Sequence, residues 1–375
     1  MAAKKILITG ADGFVGTNLR VELGREPDRY QVLCADIDTP PERLSGYLKE
    51  CEFVVHLAGV NRPKDDSEFA AGNADFTRHV LDTLTEHNNT VPFVMTSSIQ
   101  AQLDNPYGKS KLAAENAVLD YGKESGADVY IFRLPNVFGK WCRPNYNSAV
   151  ATFCHNIARE LPIQVNDRSS KLTLVYIDDV IDLIKAAIGG GITPRADGHC
   201  DVPVTHATDL GYVVDKLYEF SKVRDSLVMP SLEDALDKAL YSTFVSYLEP
   251  DKFAYTLTKH SDERGLFAEI FKTKGLGQFS VSTTKPGITR GNHWHHSKVE
   301  KFVVVSGDAL IRFRKIDGDE ILEYRVSGSE PTVVDIPPGY THSIENISET
   351  ETLVTLIWAN EEFDPDDPDT NFLEI

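Results

Sequence analysis

The sequence predicts two domains, an α/β domain built on a parallel sheet and an all-β domain after it. Three observations carry this. Short apolar strands alternate with helical stretches up to residue 247, and strand-length runs separated by turn residues continue from there to the end. The length of 375 residues also exceeds what one hydrophobic core usually organises. The domains are accordingly read as 1–247 and 248–375.

Composition narrows the class. Hydrophobic content of 41% with mixed charge indicates a globular protein. No run approaches the ~18 apolar residues of a membrane span. The opening Met1 to Gly10 is too short in apolar residues for a signal peptide and reads as a first strand. Five cysteines (Cys34, Cys51, Cys142, Cys154, Cys200) form no Cys-x-x-Cys pair, so a reducing cytoplasm is the expected setting. A formal charge of −19 argues against nucleic acid and anionic membranes as partners, and any anionic ligand needs local cations.

In the first domain Lys5–Ile8 is a buried strand, followed at once by Gly10-Ala-Asp-Gly13-Phe14-Val15-Gly16 and a helix over Thr17–Gly24. Strand, glycine turn and helix is the context a dinucleotide pyrophosphate requires, because glycines let backbone N–H groups and the helix N-terminus approach it. Tyr30–Ala35 is the second strand and ends in Asp36, twenty residues after Gly16. A carboxylate there accepts from a ribose 2′-hydroxyl and repels a 2′-phosphate. Between Asp36 and Phe53 there is room for a helix but no clear strand, so the sheet is expected to be short on this side. Phe53–His56 leads to Leu57-Ala58-Gly59, small enough for a cofactor to lie on the backbone. Val91–Met95 leads to Ser98, whose hydroxyl sits where a parallel sheet opens its ligand crevice.

Asn105 and Pro106 read as N-cap and first residue of the next helix, which Leu112–Lys123 continues. Tyr107 and Lys111, four apart, share one helix face. A phenol near pKa ~10 is a poor acid or base at neutral pH. An ammonium beside it favours the phenolate, which suits proton exchange with a ketone or alcohol oxygen. With fourteen tyrosines in the chain the pattern is weak alone, and a half-buried tyrosine is the bland alternative. Val129–Phe132 is a further strand before Arg133-Leu-Pro135-Asn136-Val-Phe-Gly139. Arg143 and Asn145 in the polar loop after Gly139, and Arg168 in Asn166-Asp-Arg168, are candidate substrate contacts; a solvated surface charge is the alternative for each arginine.

These ordered motifs, with Val175-Tyr-Ile-Asp-Asp179, resemble the extended short-chain dehydrogenase/reductase family, an α/β Rossmann fold, from Lys5 to about Tyr247. The resemblance implies an NDP-sugar substrate, NAD(P)H, and Ser98, Tyr107 and Lys111 as the catalytic trio. It places Pro135 near the nicotinamide; Asn136 beside it is a further candidate substrate contact. It also has Lys111 hold the cofactor ribose and lower the Tyr107 pKa. Sugar 4,6-dehydratases of the family carry Asp-Glu after the catalytic hydroxyl, whereas Ile99-Gln100 stands here, which argues against water elimination.

Beyond the glycine turn 189–191, helices are expected over Asp209–Lys222 and Leu232–Tyr241. Strands then follow at Gln278–Thr284, Lys301–Val305, Ala309–Lys315, Glu320–Val326, Thr332–Ile336 and Thr352–Ala359. The acidic stretch Glu361–Asp369 reads as a surface arm. Within the module lie Gly287-x5-His293-Trp-His295-x4-Glu300-x6-Gly307 and Pro337-Pro-Gly339-x2-His342-x3-Asn346. Three imidazoles and a carboxylate match a divalent metal such as zinc, iron or manganese. The spacing resembles both motifs of the cupin (jelly-roll) superfamily, apart from Pro331 where a glycine is usual. The resemblance implies His293, His295, Glu300 and His342 as ligands, with zinc favoured because four protein ligands leave no vacant tetrahedral position. A metal-free cupin is the alternative.

An extended reductase fused to a C-terminal cupin resembles the bifunctional capsular-polysaccharide epimerase/reductases of the UDP-N-acetyl-L-fucosamine pathway. The carrying stretches are 54–63, 105–111, 138–147 and 291–296. The resemblance implies a homodimer whose cupin epimerises C3 of a UDP-4-keto-6-deoxy-HexNAc. Its first domain then reduces C4 with NADPH, giving UDP-2-acetamido-2,6-dideoxy-L-talose. Asp36 opposes NADPH, so NADH stays open, with Arg62 or Lys64 as cations for the phosphate. The epimerase base is open among His296, Lys301 and Tyr340. Two other readings compete: a monofunctional NDP-sugar 4-reductase or 4-epimerase with a non-catalytic cupin, and an iron dioxygenase.

Overall fold

A computed structural model of the chain describes residues 2–366 and 368–375. It forms two compact units, one of residues 1–217 and 235–249, the other of 218–234 and 250–375.

The first unit begins β1 (Lys4–Thr9), α1 (Phe14–Gly24), β2 (Tyr30–Ala35), α2 (Pro41–Glu50), β3 (Phe53–His56). A short helix α3 (Ser67–Phe69) and a π-turn at 70–75 precede α4 (Phe76–Glu86), β4 (Phe93–Ser98), α5 (Pro106–Ser125), β5 (Val129–Leu134) and β6 (Asn136–Phe138). Then come α6 (Ala149–Ala158), β7 (Lys171–Tyr176), α7 (Ile177–Ile188), β8 (His199–Cys200), β9 (His206–Asp209) and α8 (Leu210–Ser221). The main sheet runs β2-β1-β3-β4-β5-β8, all parallel. Its edge stops at β2, and α2 fills the interval where no strand was expected. The order reverses between β1 and β3, and a ligand crevice opens at the carboxyl ends of these strands.

The strands are apolar on both faces because both are covered. Ile6 and Ile8 pack with α1 and α7, through Leu19, Leu23, Val180 and Ile184. Leu7 and Val54 pack with α2, α4 and α5, through Leu48, Val80, Leu84 and Val118. Some boundaries differ from the expected ones. Helix α1 starts at Phe14 rather than Thr17, so Gly16 lies inside it, and β4 continues through Ser98.

Residues 218–234, assigned by sequence to the first domain, belong to the second unit. They carry α9 (Val223–Ser226) and β10 (Val228–Met229), which extends the β sheet by pairing Val228 with Lys272. The chain returns to the first unit for α10 (Ala235–Ser246). The remaining strands are β11 (His260–Asp262), β12 (Gly265–Thr273), β13 (Gly277–Thr284), β14 (Thr289–Trp294), β15 (Glu300–Ser306) and β16 (Asp308–Lys315). They continue as β17 (Ile321–Ser327), β18 (Val333–Ile336), β19 (Tyr340–Asn346), β20 (Leu353–Ala359) and β21 (Asn371–Phe372). One sheet runs β10-β12-β13-β20-β15-β18 and the other β17-β16-β19-β14-β21. Phe302, Val304, Ile311, Phe313, Ile336 and Ile344 fill the space between them.

The sequence did not mark β12, β14 or β19. Nor is the end of the acidic stretch a solvated arm: Asp369 accepts backbone N–H groups from residues 296–298, and β21 pairs with β14. Asp367 lies outside the described residues.

Candidate active site and metal centre

The glycine turn is shaped by close approach. Gly10 has φ +69, and a Cβ there would lie 2.7 Å from the Ala58 nitrogen. A Cβ on Gly16 would lie 2.2 Å from the Gly10 oxygen. Gly13 precedes α1 without a side-chain cap, so the N–H groups of its first turn, Phe14 and Val15 included, start the helix uncapped by a side chain. Asp36 braces this turn, its carboxylate accepting from Asp12 N and Ile37 N, each at 2.8 Å. Leu57 and Ala58 run past Gly10, and Gly59 follows; a Cβ on Gly59 would stand 3.7 Å from Lys111 Nζ.

Asn105 caps α5 by accepting from Gly108 N at 2.7 Å, and Pro106 follows. Two residues on, Tyr107 has Ser98 as the neighbouring hydroxyl that draws its pKa down. Lys111 is buried and its Nζ donates to Thr96 O at 2.9 Å. The trio thus gathers at the carboxyl end of β4, beside Gly59. Burial pushes the Tyr107 phenol above its ordinary value, with the Ser98 hydroxyl acting the other way. The expected lowering by Lys111 is not among the influences on it, because that amine is turned to a backbone carbonyl. Burial also pushes Lys111 down to about 8, partly offset by Glu115.

Glu115 is a site residue that sequence reasoning missed. Wholly buried, it accepts from Ser97 Oγ at 2.5 Å and from Arg133 Nη2 at 2.6 Å, and His199 Nε2 lies 3.2 Å away. The signal was present: Tyr107, Lys111 and Glu115 follow at intervals of four on one helix face.

The proposed substrate residues separate. Asn145 lines a cleft of about 600 Å³ with Arg62, Tyr146, Asn147 and Asn166. Arg143 stacks over Tyr146 at 5.2 Å. Arg168 instead pairs with Asp215 at 2.7 Å and donates to Gly211 O. Asn136, next to Pro135, donates to Thr173 O at 3.2 Å.

In the β unit, His293, His295, Glu300 and His342 present donor atoms all within 4.8 Å of one another. Register explains it. His293 pairs with His342 across β14 and β19, so both face inward, and Glu300 faces them from β15. Glu300 Oε2 stands 3.4 Å from His295 Nε2 and 3.5 Å from His342 Nε2. These three atoms are buried and hydrogen-bond to nothing. Buried polar atoms without partners are costly, and a divalent cation is what a carboxylate and imidazole nitrogens converging this closely would satisfy. The donor set therefore fits a metal.

Of the candidate bases, Lys301 pairs with Trp358 and Asp335, and its ammonium is bonded to the Asp335 carboxylate on the outer face, away from Glu300. His296 is exposed against Trp294, and Tyr340 packs on the apolar core. The inner wall carries another pair. Lys272 is in one row with Gln278, Ala359 and Glu300. A bulge between Glu269 and Phe271 brings Glu269 to the same face, 3.0 Å from Lys272 Nζ. Beside them the Ser280 hydroxyl is buried without a partner.

Residues 6–195 match the NAD dependent epimerase/dehydratase family and residues 260–371 the polysaccharide biosynthesis C-terminal domain. The chain belongs to the NAD dependent epimerase/dehydratase family, with a polysaccharide-biosynthesis domain appended. It is 44% identical over 366 residues to the UDP-2-acetamido-2,6-beta-L-arabino-hexul-4-ose reductase of Pseudomonas aeruginosa, covering 98% of this chain and 97% of that one. The crystal structure of the capsular polysaccharide assembling protein CapF from Staphylococcus aureus matches with TM-score 0.93 at 51% identity, over 99% of this chain and 100% of that one. RMD from Pseudomonas aeruginosa, complexed with NADPH, matches 65% of this chain and 97% of its own with TM-score 0.54; at 20% identity this shows the fold alone.

Proposed function

We propose that the chain is a bifunctional nucleotide-sugar enzyme of capsule or O-antigen synthesis. The β unit, a cupin on this reading, epimerises C3 of a UDP-4-keto-6-deoxy-HexNAc. The α/β unit then reduces C4 to give UDP-2-acetamido-2,6-dideoxy-L-talose. A C4 ketone acidifies C3–H, so epimerisation precedes reduction. The observation that carries the reading is the meeting of Ser98, Tyr107 and buried Lys111 beside the glycine turn.

Tyr107 donates its proton to the C4 oxygen, and its raised pKa keeps it protonated until then. Ser98 donates its hydroxyl hydrogen to the same C4 oxygen and helps hold it in line with the phenol. Lys111, held on Thr96 O, offers its remaining protons toward the ribose side at Gly59. Gly10, Gly13, Phe14, Val15, Gly16, Asp36, Leu57, Ala58, Gly59 and Pro135 would hold the dinucleotide, which supplies the hydride. The cleft with Arg62 and Asn145 is the proposed seat of the UDP-sugar. NADPH is the proposed cofactor. Arg20 is a cation at this end of the sheet: it pairs at 2.7 Å with Asp12, whose backbone N–H is bonded to Asp36.

In the β unit, His293, His295, Glu300 and His342 would hold zinc, whose charge ties the ligand-bearing strands together. Glu269 takes the C3 proton; the C3–H electron pair moves into the C3–C4 bond and charge gathers on the C4 oxygen. Lys272 relays the proton to solvent, and water returns one to the opposite face of C3. The chain is further proposed to act as a cytoplasmic homodimer, which light scattering tests through the particle mass.

Tyr107→Phe tests the division of labour. It keeps the ring and removes the acid, so C4 reduction should fall roughly 10²–10⁴-fold while solvent deuterium still enters C3. Wild-type reduction in this variant would sink the assignment. The same assay with NADH and NADPH decides the cofactor; a tenfold preference for NADH would show that Asp36 governs.

A further inference from the structure

Asp369 stands at φ +34 near the C-terminus and turns its carboxylate onto three consecutive backbone N–H groups. Oδ1 accepts from His296 N at 2.8 Å, and Oδ2 accepts from Ser297 N at 2.9 Å and Lys298 N at 3.0 Å, with Ser297 Oγ at 3.3 Å. These groups form the turn between two of the four converging side chains, His295 and Glu300. The Asp369 carbonyl oxygen lies 2.5 Å from His295 Nδ1. A carbonyl cannot donate, so Nδ1 carries a proton, which leaves Nε2, 3.4 Å from Glu300 Oε2, as the ring atom that would face an ion.

The residues around Asp369 hold it there. The Lys298 ammonium donates to Pro368 O at 2.5 Å. Phe372 pairs with His293, Leu373 N donates to Asn292 O at 2.9 Å, and the Thr341 hydroxyl, next to His342, donates to Leu373 O. One short run of chain therefore contacts His295 directly and the backbones at or beside His293 and His342.

We propose that Asp369 is a positioning residue of the metal centre, setting the His295 tautomer and the 296–298 turn in the ligating arrangement before an ion arrives. The proposal rests on the reading of the four side chains as a zinc site. A charged acceptor satisfying three N–H groups is stronger than neutral hydrogen bonds would be. Without it the turn has to be ordered at the moment of binding, and that ordering weakens affinity. Groups that orient metal ligands typically contribute 10–100-fold to affinity.

The test uses the full chain, stripped of metal and titrated with zinc against a chromophoric chelator. Asp369→Ala should bind zinc about 10–100-fold more weakly. A chain ending at residue 366, lacking the carboxylate, the carbonyl and β21, should lose more. Nitrogen-15 shifts of His295 in the metal-free protein should report Nδ1–H in the wild type and in Asp369→Ala, and a mixture of tautomers in the shortened chain. Circular dichroism of each metal-free variant separates folding from affinity. Unchanged zinc affinity in both variants overturns the proposal. So does a drop in metal-free stability with zinc affinity intact, since the role would then be structural. If the wild type takes up no zinc, the metal reading fails and the proposal falls with it.

Discussion

Lys111 shows how a residue's chemistry depends on partners the sequence hides. Its amine sits near pKa 8 through burial, against ~10.4 in an unfolded chain. The folded value is the lower one, so the folded state resists charging this lysine. Below pH 8 both states carry the charge and the burial penalty is fully present. Between pH 8 and about 10.4 the unfolded state binds the extra proton, so this group's contribution to stability improves as pH rises. Activity should move the other way. If the ammonium holds the cofactor ribose, kcat/KM for reduction should fall as pH passes about 8. Lys111→Met should be slow and lack that limb; a flat profile across pH 7–9 in the wild type would refute the role. The Tyr107-x-x-x-Lys111 pattern was legible because both residues share one helix. The buried Glu115 with Arg133 and His199 was not, because register alone brings together side chains 18 and 84 residues apart. Asp36 was seen as a ribose ligand, whereas its bond to Asp12 N, which braces the glycine turn, depends on how two loops meet.

Among elements, the strands that sequence reasoning passed over are those that bear the site. β14 reads Thr-Arg-Gly-Asn-His-Trp and β19 reads Tyr-Thr-His-Ser-Ile-Glu-Asn. Their inward positions hold imidazoles where an ordinary strand holds Val or Ile, so the alternation of apolar residues fails where the chemistry lies. β12 fails differently. Its bulge adds a residue, and the period of two slips between Glu269 and Phe271. Without that slip Glu269 and Lys272, three apart, would face opposite sides. The placement leads to a prediction for Glu269→Gln. C3 exchange should drop roughly 10²–10⁴-fold, while zinc content and reduction of an already epimerised 4-ketose stay normal. Exchange at the wild-type rate would remove Glu269 from the mechanism. Elements with ordinary interiors were legible: β1 to β5 with α1, α2 and α5, and β13, β16 and β20.

At the scale of the whole molecule, the two-domain order was legible from the change of period near residue 247, but the path of the chain was not. Residues 218–234 look helical and polar like what precedes them, and only the pairing of Val228 with Lys272 shows where they belong. The chain therefore passes between its two units three times, after Leu217, Asp234 and Glu249. A fragment ending at Glu249 would keep β10 with no strand to pair with. It should bind a hydrophobic dye and precipitate sooner on warming than the full chain does; a fragment as soluble and as stable as the full chain would contradict this. The same crossing bears on synthesis. Chains emerge from the ribosome N-terminus first and domains tend to fold as they appear. Here β10 leaves the ribosome before β12 has been translated, so the seam at 218–234 has to wait unpaired while the neighbouring α10 already has its partners. Slowing translation between residues 250 and 275 should lengthen that wait and raise the share of newborn chains captured by chaperones, without any change in the finished protein.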